Sequence, residues 1–312
     1  MIVTPGKLKR AGVLGMNARN GLIIGSYNRR SLYPKVDNKL LTKELLQGAK
    51  LAVPELYGVI SGTRDLKALG GMLTNYKDFV IKPARGSGGE GILVIVSRDQ
   101  NRFVRTNGEE LELDDLSYHI SGILHGLYSL GGQPDQAIIE YRVKFDPIFE
   151  QVTVRGVPDI RLIMFLGVPV MAMLRLPTSK SNGRANLHQG AVGAGVRLSD
   201  GTTTSAVLGS SRIDKHPDTG HSVKGLWLPN WDKVLGIAIR CQELVGLGYL
   251  GVDIVFDQER GPLILELNAR PGLAVQIAND CGLMKRLELV EQNIEKLALP
   301  EQRIEFAKAH FD

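Results

Sequence analysis

Asp253, Glu266 and Asn268 are three oxygen-bearing side chains with the spacing of a cation site. Glu266 and Asn268 stand two apart in the apolar run ILELN, so a strand puts both on one face. The segment GVDIVFDQERGPLILELNARPG reads as a hairpin turning near Glu259–Arg260, and counting back from that turn sets Asp253 opposite Glu266. Two facing acids repel unless a cation lies between them. Oxygen ligands suit hard Mg²⁺ held together with substrate phosphates. The competing reading is an ion pair of one acid with Arg161 or Arg270.

A second constellation is DFVIKPARGSGGEGILVIVSR, which reads as strand, glycine-rich turn, strand. Gly86, Ser87, Gly88, Gly89 and Gly91 lie in the turn and Lys82 just before it. Glycines let backbone N–H groups approach anionic oxygens, and Lys82 can neutralise phosphate charge. The turn satisfies G-x-G-x-x-G, but a dinucleotide fingerprint needs a helix next, and the strand-like ILVIV follows. The chain has no G-K-[ST] ending for a Walker A loop, no kinase H-R-D or D-F-G motif, and no G-x-S-x-G elbow.

Arg161, Arg175, Arg184 and Arg270 could bind a transferred phosphate or a substrate carboxylate in bidentate form, with Arg161 and Arg270 favoured by position. Arg184, Asn186 and His188 share a glycine-rich stretch, and His188 is a candidate base without an evident orienting partner. Cys241 and Cys281 sit in helical patterns with no adjacent His, so they read as small buried hydrophobes.

The elements that must position these residues are legible in outline. Asn38 can cap a helix over KLLTKELLQGAK. Strands are predicted at Leu56–Ile60, at Gln136–Tyr141, and over DIRLIMFLG and VPVMAMLRLP. Leu113–Leu130 carries an apolar stripe at helical spacing, and Asn230–Leu247 and Pro271–Leu299 also read as helical, the last with a break near Asp280–Gly282. The stretch 179–221, rich in Gly, Ser, Thr and Asn, reads as a long binding loop or lid.

The chain has 312 residues, enough for about two domains. Apolar residues make up 43% and charged residues 23%, a globular balance that excludes a disordered chain. With two cysteines a disulfide framework is excluded, and a reducing, cytoplasmic location is expected. No apolar run is long enough for a transmembrane helix. The first acid is Asp37, after Lys7, Lys9, Arg10, Arg19, Arg29, Arg30 and Lys35, so 1–37 reads as a solvated basic arm, with contact to an anionic surface or a phosphate-rich partner as the sharper alternatives. A net charge of +5 without a recognisable binding module argues against a DNA or RNA partner. A homo-oligomer is compatible with the sequence.

Taken together, Lys39, Lys82 with its glycine loop, IIEY, DIR, RANLHQG, GVDI and ELNARPG resemble the ATP-grasp superfamily. Within it they look like the α-L-glutamate ligase-like branch that includes ribosomal-protein glutamate ligases. The resemblance implies an α+β fold, two subdomains gripping ATP, with a shortened N-terminal domain. It divides the chain into a basic segment 1–37, an N-terminal subdomain 38–135, a C-terminal subdomain 136–299 and a tail 300–312.

By the same resemblance Lys39 and Lys82 contact phosphates, the loop Gly86–Gly91 closes over them, and Glu140, Tyr141, Arg142 and Val143 line the adenine. Asp253, Glu266 and Asn268 carry two Mg²⁺, with Mn²⁺ as a substitute. Arg161 and Arg270 meet the acyl phosphate and substrate, with Asn186 and Arg184 on the substrate side. The implied reaction is ATP-dependent carboxylate–amine ligation through an acyl phosphate, adding glutamate or a similar amino acid to an amine acceptor: a peptide, protein or metabolite. The alternatives are a phosphotransferase on a sugar or small alcohol and a regulatory nucleotide-binding module. The stretches 100–134 and 200–229 look inserted relative to that pattern.

Overall fold

The computed structural model describes residues 4–86 and 88–312. They fall into two compact units. The first comprises 38–44 and 53–143, and the second comprises the chain up to Asp37, 45–52 and 144–312.

The first unit is built on an antiparallel sheet in the order β1-β6-β2-β3-β4-β5. Its strands are β1 (Leu56–Ile60), β2 (Phe79–Pro83), β3 (Leu93–Asp99), β4 (Arg102–Arg105), β5 (Glu110–Leu111) and β6 (Ala137–Glu140). The stretch 100–134 therefore supplies β4, β5 and the helix Leu113–Leu124. That helix starts where the Asp115 carboxylate accepts the Glu112 N–H at 2.8 Å, satisfying an end donor. Its stripe of Leu116, Ile120 and Ile123 is buried with Phe79, Ile81, Ile95, Phe103 and Ile139 of the sheet. Each such side chain contributes about 1.5–3 kcal/mol when fully buried, so an Ala at Ile120 would damage the layer that holds β2 and β6 in place.

The second unit holds a seven-stranded antiparallel sheet, β11-β10-β9-β8-β7-β12-β13. The strands are β7 (Asp159–Phe165), β8 (Val168–Leu176), β9 (Val192–Val196), β10 (Thr203–Leu208), β11 (Ser211–Ile213), β12 (Tyr249–Asp257) and β13 (Gly261–Asn268). β7 and β12 are buried along their whole length, which explains their near-continuous apolar runs. The helix Trp231–Val245 packs on β7, β8 and β12, and Pro300–His310 packs on β8 and on that helix. The stretch 179–221, expected to be one long loop, is broken by three strands, β9, β10 and β11. Gly195 there leaves room for the Ala278 carbonyl and Thr203 holds the Val223 carbonyl, uses that composition alone does not distinguish from a flexible loop.

The basic N-terminal segment is not a solvated arm. Leu14, Ile23, Ile24 and Val36 are buried. The Asn28 side-chain amide donates to the Tyr249 and Ala269 carbonyls, and its oxygen accepts the Tyr249 N–H at 2.8 Å. Gln276 accepts from Leu14 N–H and Leu283 N–H at 2.8 and 3.0 Å, tying the segment to the C-terminal helices. The residues after 299 likewise form a helix with Ala307 and Phe311 buried. β6 lies between β1 and β2, so the first unit runs to Val143 rather than breaking near 135. A strand's pairing partners, not its place in the chain, assign it to a unit. Among the described residues no helix is long and apolar enough to cross a membrane.

Candidate functional site

In the second unit the hairpin β12–β13 sets Asp253 directly opposite Glu266 and Gly251 opposite Asn268. The register is not a simple count from the turn. Asp257 pairs with Gly261, and a bulge between Asp253 and Ile254 then admits one extra residue on β13. That bulge turns Glu266 and Asn268 onto the face of Asp253. Asn268 Nδ2 lies 3.4 Å from Asp253 Oδ2.

Asp253 also pairs with Arg161 of β7, whose Nε donates to Oδ1 and whose Nη2 donates to Oδ2 at 2.6 Å. Arg175 of β8 donates Nη2 to Asp253 Oδ2 at 2.7 Å and, to Asp159, Nε at 2.5 Å and Nη2 at 2.7 Å. Burial alone would raise Asp253, but Arg161 and Arg175 hold its carboxyl below the usual range. Burial pushes Asp159 up to about 6, against the pull of Arg175. The Arg175 guanidinium, for its part, is held more firmly protonated: burial works against its charge, and Asp159 and Asp253 outweigh it.

The donor set bears on which metal it could hold. Among the described residues no group of three His, Cys, Asp or Glu side chains is disposed to hold a metal. A third oxygen therefore has to come from an amide, and Asn268 is in place for that. Three carboxylates, Asp159, Asp253 and Glu266, stand against two guanidiniums, so the face keeps negative charge for a hard cation. Half-buried Glu266 and Asn268 fit as they stand. Asp253 fits only where a cation displaces one guanidinium hydrogen bond.

The remaining expected residues of this unit are dispersed. Arg270 is exposed, lies 3.5 Å from Asp37 and stacks over the Tyr33 ring at 5.1 Å. Asn186 accepts the His188 N–H at 3.0 Å and so caps a short turn, while Arg184 and His188 are exposed on the loop between β8 and β9.

In the first unit Lys82 and Glu140 are diagonal neighbours on paired strands, with Val80 opposite Glu140. The Lys82 ammonium lies 2.5 Å from Glu140 Oε1, and Lys43 lies 2.9 Å from Oε2. All three are buried. Burial opposes the charge on Glu140, yet Lys82 and Lys43 pull it below the ordinary value. Burial lowers Lys43 in spite of Glu140.

The glycine loop is tied at several points. Lys39 Nζ donates to the Gly86 carbonyl at 2.6 Å, and Asp135 accepts the Arg85 N–H at 2.8 Å. Gly91 has φ +72° and a Cβ there would stand 2.5 Å from the Tyr128 ring, so no other residue fits unchanged. Gly88 and Gly89 also take positive φ. Ser87 lies outside the described residues. Tyr141 is buried and its N–H donates to the Glu55 carbonyl at 2.8 Å, Arg142 pairs with Asp78 at 2.8 Å, and Val143 is buried.

Sequence reasoning missed Lys43, Asp159 and the double role of Arg175. A count back from the β7–β8 turn would place Asp159 beside Leu174. A bulge between Ile163 and Met164 shifts the register and sets Asp159 against Arg175. Lys43 had a signal, four residues after Lys39 on a capped helix, one turn along the same face.

A family model described as sugar-transfer associated ATP-grasp matches residues 18–292. No curated protein matches the chain. The ATP-grasp ligase PsnB, in complex with a minimal precursor, is 16% identical with a TM-score of 0.46 over 86% of this chain. The chain spans only 64% of PsnB. D-alanyl-alanine synthetase A from Vibrio cholerae is 12% identical, TM-score 0.48, over 84% of this chain and 65% of that one. A RimK domain ATP-grasp protein from Sphaerobacter thermophilus is 13% identical, TM-score 0.45, over 84% and 70%.

Proposed function

Because the chain belongs to the sugar-transfer associated ATP-grasp family, we propose that it is an ATP-dependent carboxylate–amine ligase. The observation that carries this reading is the face shared by Asp253, Glu266 and Asn268, reached through a bulge in the hairpin.

In this reading the first unit binds the nucleotide. Lys39 and Lys82 meet its phosphates, the loop Gly86–Gly91 covers them with backbone N–H groups, and Glu140 to Val143 border the base. In the second unit Glu266 and Asn268, with Asp253, hold two Mg²⁺. Bound Mg²⁺ supplies charge stabilisation on the transferring phosphoryl oxygens. A substrate carboxylate attacks the γ-phosphorus of ATP, ADP leaves, and an acyl phosphate forms. An amine then attacks the acyl carbon, loses a proton, and expels inorganic phosphate.

Arg161 serves the acyl phosphate by presenting a fixed guanidinium, already aligned by Asp253, where charge develops. Arg184, Asn186, His188 and Arg270 face the substrates. Acyl phosphates hydrolyse readily, so the loop's covering role also keeps water away. Glutamate or a similar amino acid is the added group, and the acceptor is a peptide, protein or metabolite. The location is cytoplasmic.

The test is phosphate release from ATP across a panel of amino acids and amines, with each product weighed by mass spectrometry. Release that requires both an acid and an amine supports the ligase. The family's description, with its sugar-transfer association, favours one second reading: phosphoryl transfer to a sugar hydroxyl. ADP formation with a sugar alone, giving a product heavier by one phosphate, would replace the ligase with that reading.

A further inference from the structure

The geometry points to His216 as the positioning residue of the loop that carries Arg184, Asn186 and His188. This rests on the reading of those three as substrate-facing.

The loop runs from Pro177 to Gly190, between β8 and β9. Its neck is closed by Thr178, whose hydroxyl donates to the Gly190 carbonyl at 2.8 Å. Thr178 and Ser181 exchange hydrogen bonds: Ser181 Oγ accepts the Thr178 N–H at 2.9 Å, and Thr178 Oγ1 accepts the Ser181 N–H at 3.0 Å. These bonds shape the neck, and the Arg184 N–H donates to the Ser181 carbonyl at 3.1 Å and the Ala191 N–H to the Asn186 carbonyl at 3.1 Å along the loop, while the Val154 N–H reaches the Pro177 carbonyl at 3.3 Å from outside it.

Side-chain support comes from the segment after β11. Residues 214–223 fold back on themselves: the His216 N–H donates to the His221 carbonyl at 2.8 Å and the Val223 N–H to the Asp214 carbonyl at 3.1 Å. Thr203 of β10 anchors this turn to the sheet, its hydroxyl donating to the Val223 carbonyl at 2.7 Å and accepting the Leu226 N–H at 2.9 Å. From that anchored turn two side chains reach the loop. His216 Nε2 stands 3.1 Å from the Pro177 carbonyl, and the Asp218 carboxylate accepts the Ser179 N–H at 2.8 Å.

His216 is 1% exposed, within a segment whose other residues are mostly exposed. A carbonyl only accepts, so Nε2 carries the proton, and Nδ1 then faces the Asp218 N–H at 3.4 Å as an acceptor. One neutral tautomer satisfies both ring nitrogens. The side chain is buried and spans from a sheet-anchored turn to the first residues of the loop. A site held by locked rotamers keeps its geometry, while one left to an unsupported loop does not.

The test has two arms on the full chain. Hydrogen exchange of the 178–190 amides, without ligand, compares the wild type with His216→Ala, His216→Gln and Asp218→Ala. Steady-state assays then vary ATP and, separately, the amino acid that supports phosphate release. His216→Ala is expected to speed exchange at 178–190 and raise the amino-acid KM about tenfold, with the ATP KM unchanged. Asp218→Ala, at an exposed position, shifts both in the same direction by less. His216→Gln, whose amide N–H can replace Nε2–H, restores both.

Unchanged exchange at 178–190 in both His216→Ala and Asp218→Ala overturns the proposal, as does an equal rise in both KM values. A wild type that turns over no amino acid ends the ligase reading, and the exchange arm then decides alone whether His216 holds the loop.

Discussion

Arg175 meets Asp253 across an intervening strand: β8 supplies the guanidinium, β12 the carboxylate, and β7 lies between them, yet Nη2 stands 2.7 Å from Oδ2. The long arginine spans two strand spacings and collects Asp159 on the way. The candidate metal face is therefore braced from its side by charge, and its geometry depends on Arg175 and Asp159, which need never touch a substrate.

Removing that brace should be costly. Arg175→Met leaves Asp159 buried with no guanidinium bonded to it, at about 3–5 kcal/mol for a broken buried pair. Urea unfolding should show the loss as a lower midpoint. The double variant Arg175→Met/Asp159→Leu should recover most of it, because the orphaned charge is gone. Equal stability of the single variant and the wild type would mean that the pair contributes nothing net.

Glu266→Ala should abolish turnover and leave the fold intact. Glu266 is half-buried, so its loss should alter unfolding free energy by about 1 kcal/mol or less. ATP-dependent product formation should fall by at least about a hundredfold, the scale of a lost charge-stabilising group. Normal product formation would remove Glu266 from the metal set.

In the first unit the order of two losses is diagnostic. Lys43→Met leaves Glu140 still paired with Lys82, and should cost about 1–3 kcal/mol. Glu140→Gln leaves two buried ammonium groups facing each other, and should cost about 3–5 kcal/mol. Chemical denaturation of the two variants checks the ranking. The reverse order would show that Glu140 is not the hub of the triad.

His119 makes a pH-dependent contribution. Burial lowers its value, the hydrogen bond to the Gly91 carbonyl opposes that, and nearby Arg105 lowers it further. The unfolded chain, with an ordinary value of about 6.5, binds more protons below that pH than the folded chain does. The contribution is thus present above about pH 6.5 and is lost as pH falls toward the folded value. His216 is lowered by burial in the same sense. His119→Gln keeps a donor for Gly91 without titrating, so its stability from pH 7 down to 5 should fall less steeply than that of the wild type. Parallel curves would show that His119 titrates alike in both states.

Local pattern fixed a good deal of this molecule. The strand Leu56–Ile60, the stripe Leu116–Ile120–Ile123, the Asn38-capped helix and the glycine turn between β2 and β3 all follow from periodicity, capping and turn chemistry acting over a few residues. So did the shared face of Glu266 and Asn268, since they lie two apart on one strand. The pairing of Asp253 with Glu266 was also anticipated, although the turn is centred one half-step earlier and a bulge supplies the difference.

Tertiary structure decided the partners. Whether Asp253 waits for a cation or is already met by Arg161 and Arg175 depends on strand order, because Arg161 of β7 and Arg175 of β8 lie 92 and 78 residues before it in the chain. Bulges moved Asp159 onto Arg175, and a bulge leaves no mark in the alternation of apolar residues. The N-terminal segment reads as an arm because its cations, most of them exposed, are written in the sequence, while the buried hydrogen bonds of Asn28 and Gln276 are not. Short-range sterics select an element from neighbouring residues. Which charges neutralise one another depends on distances that exist only once remote segments have packed.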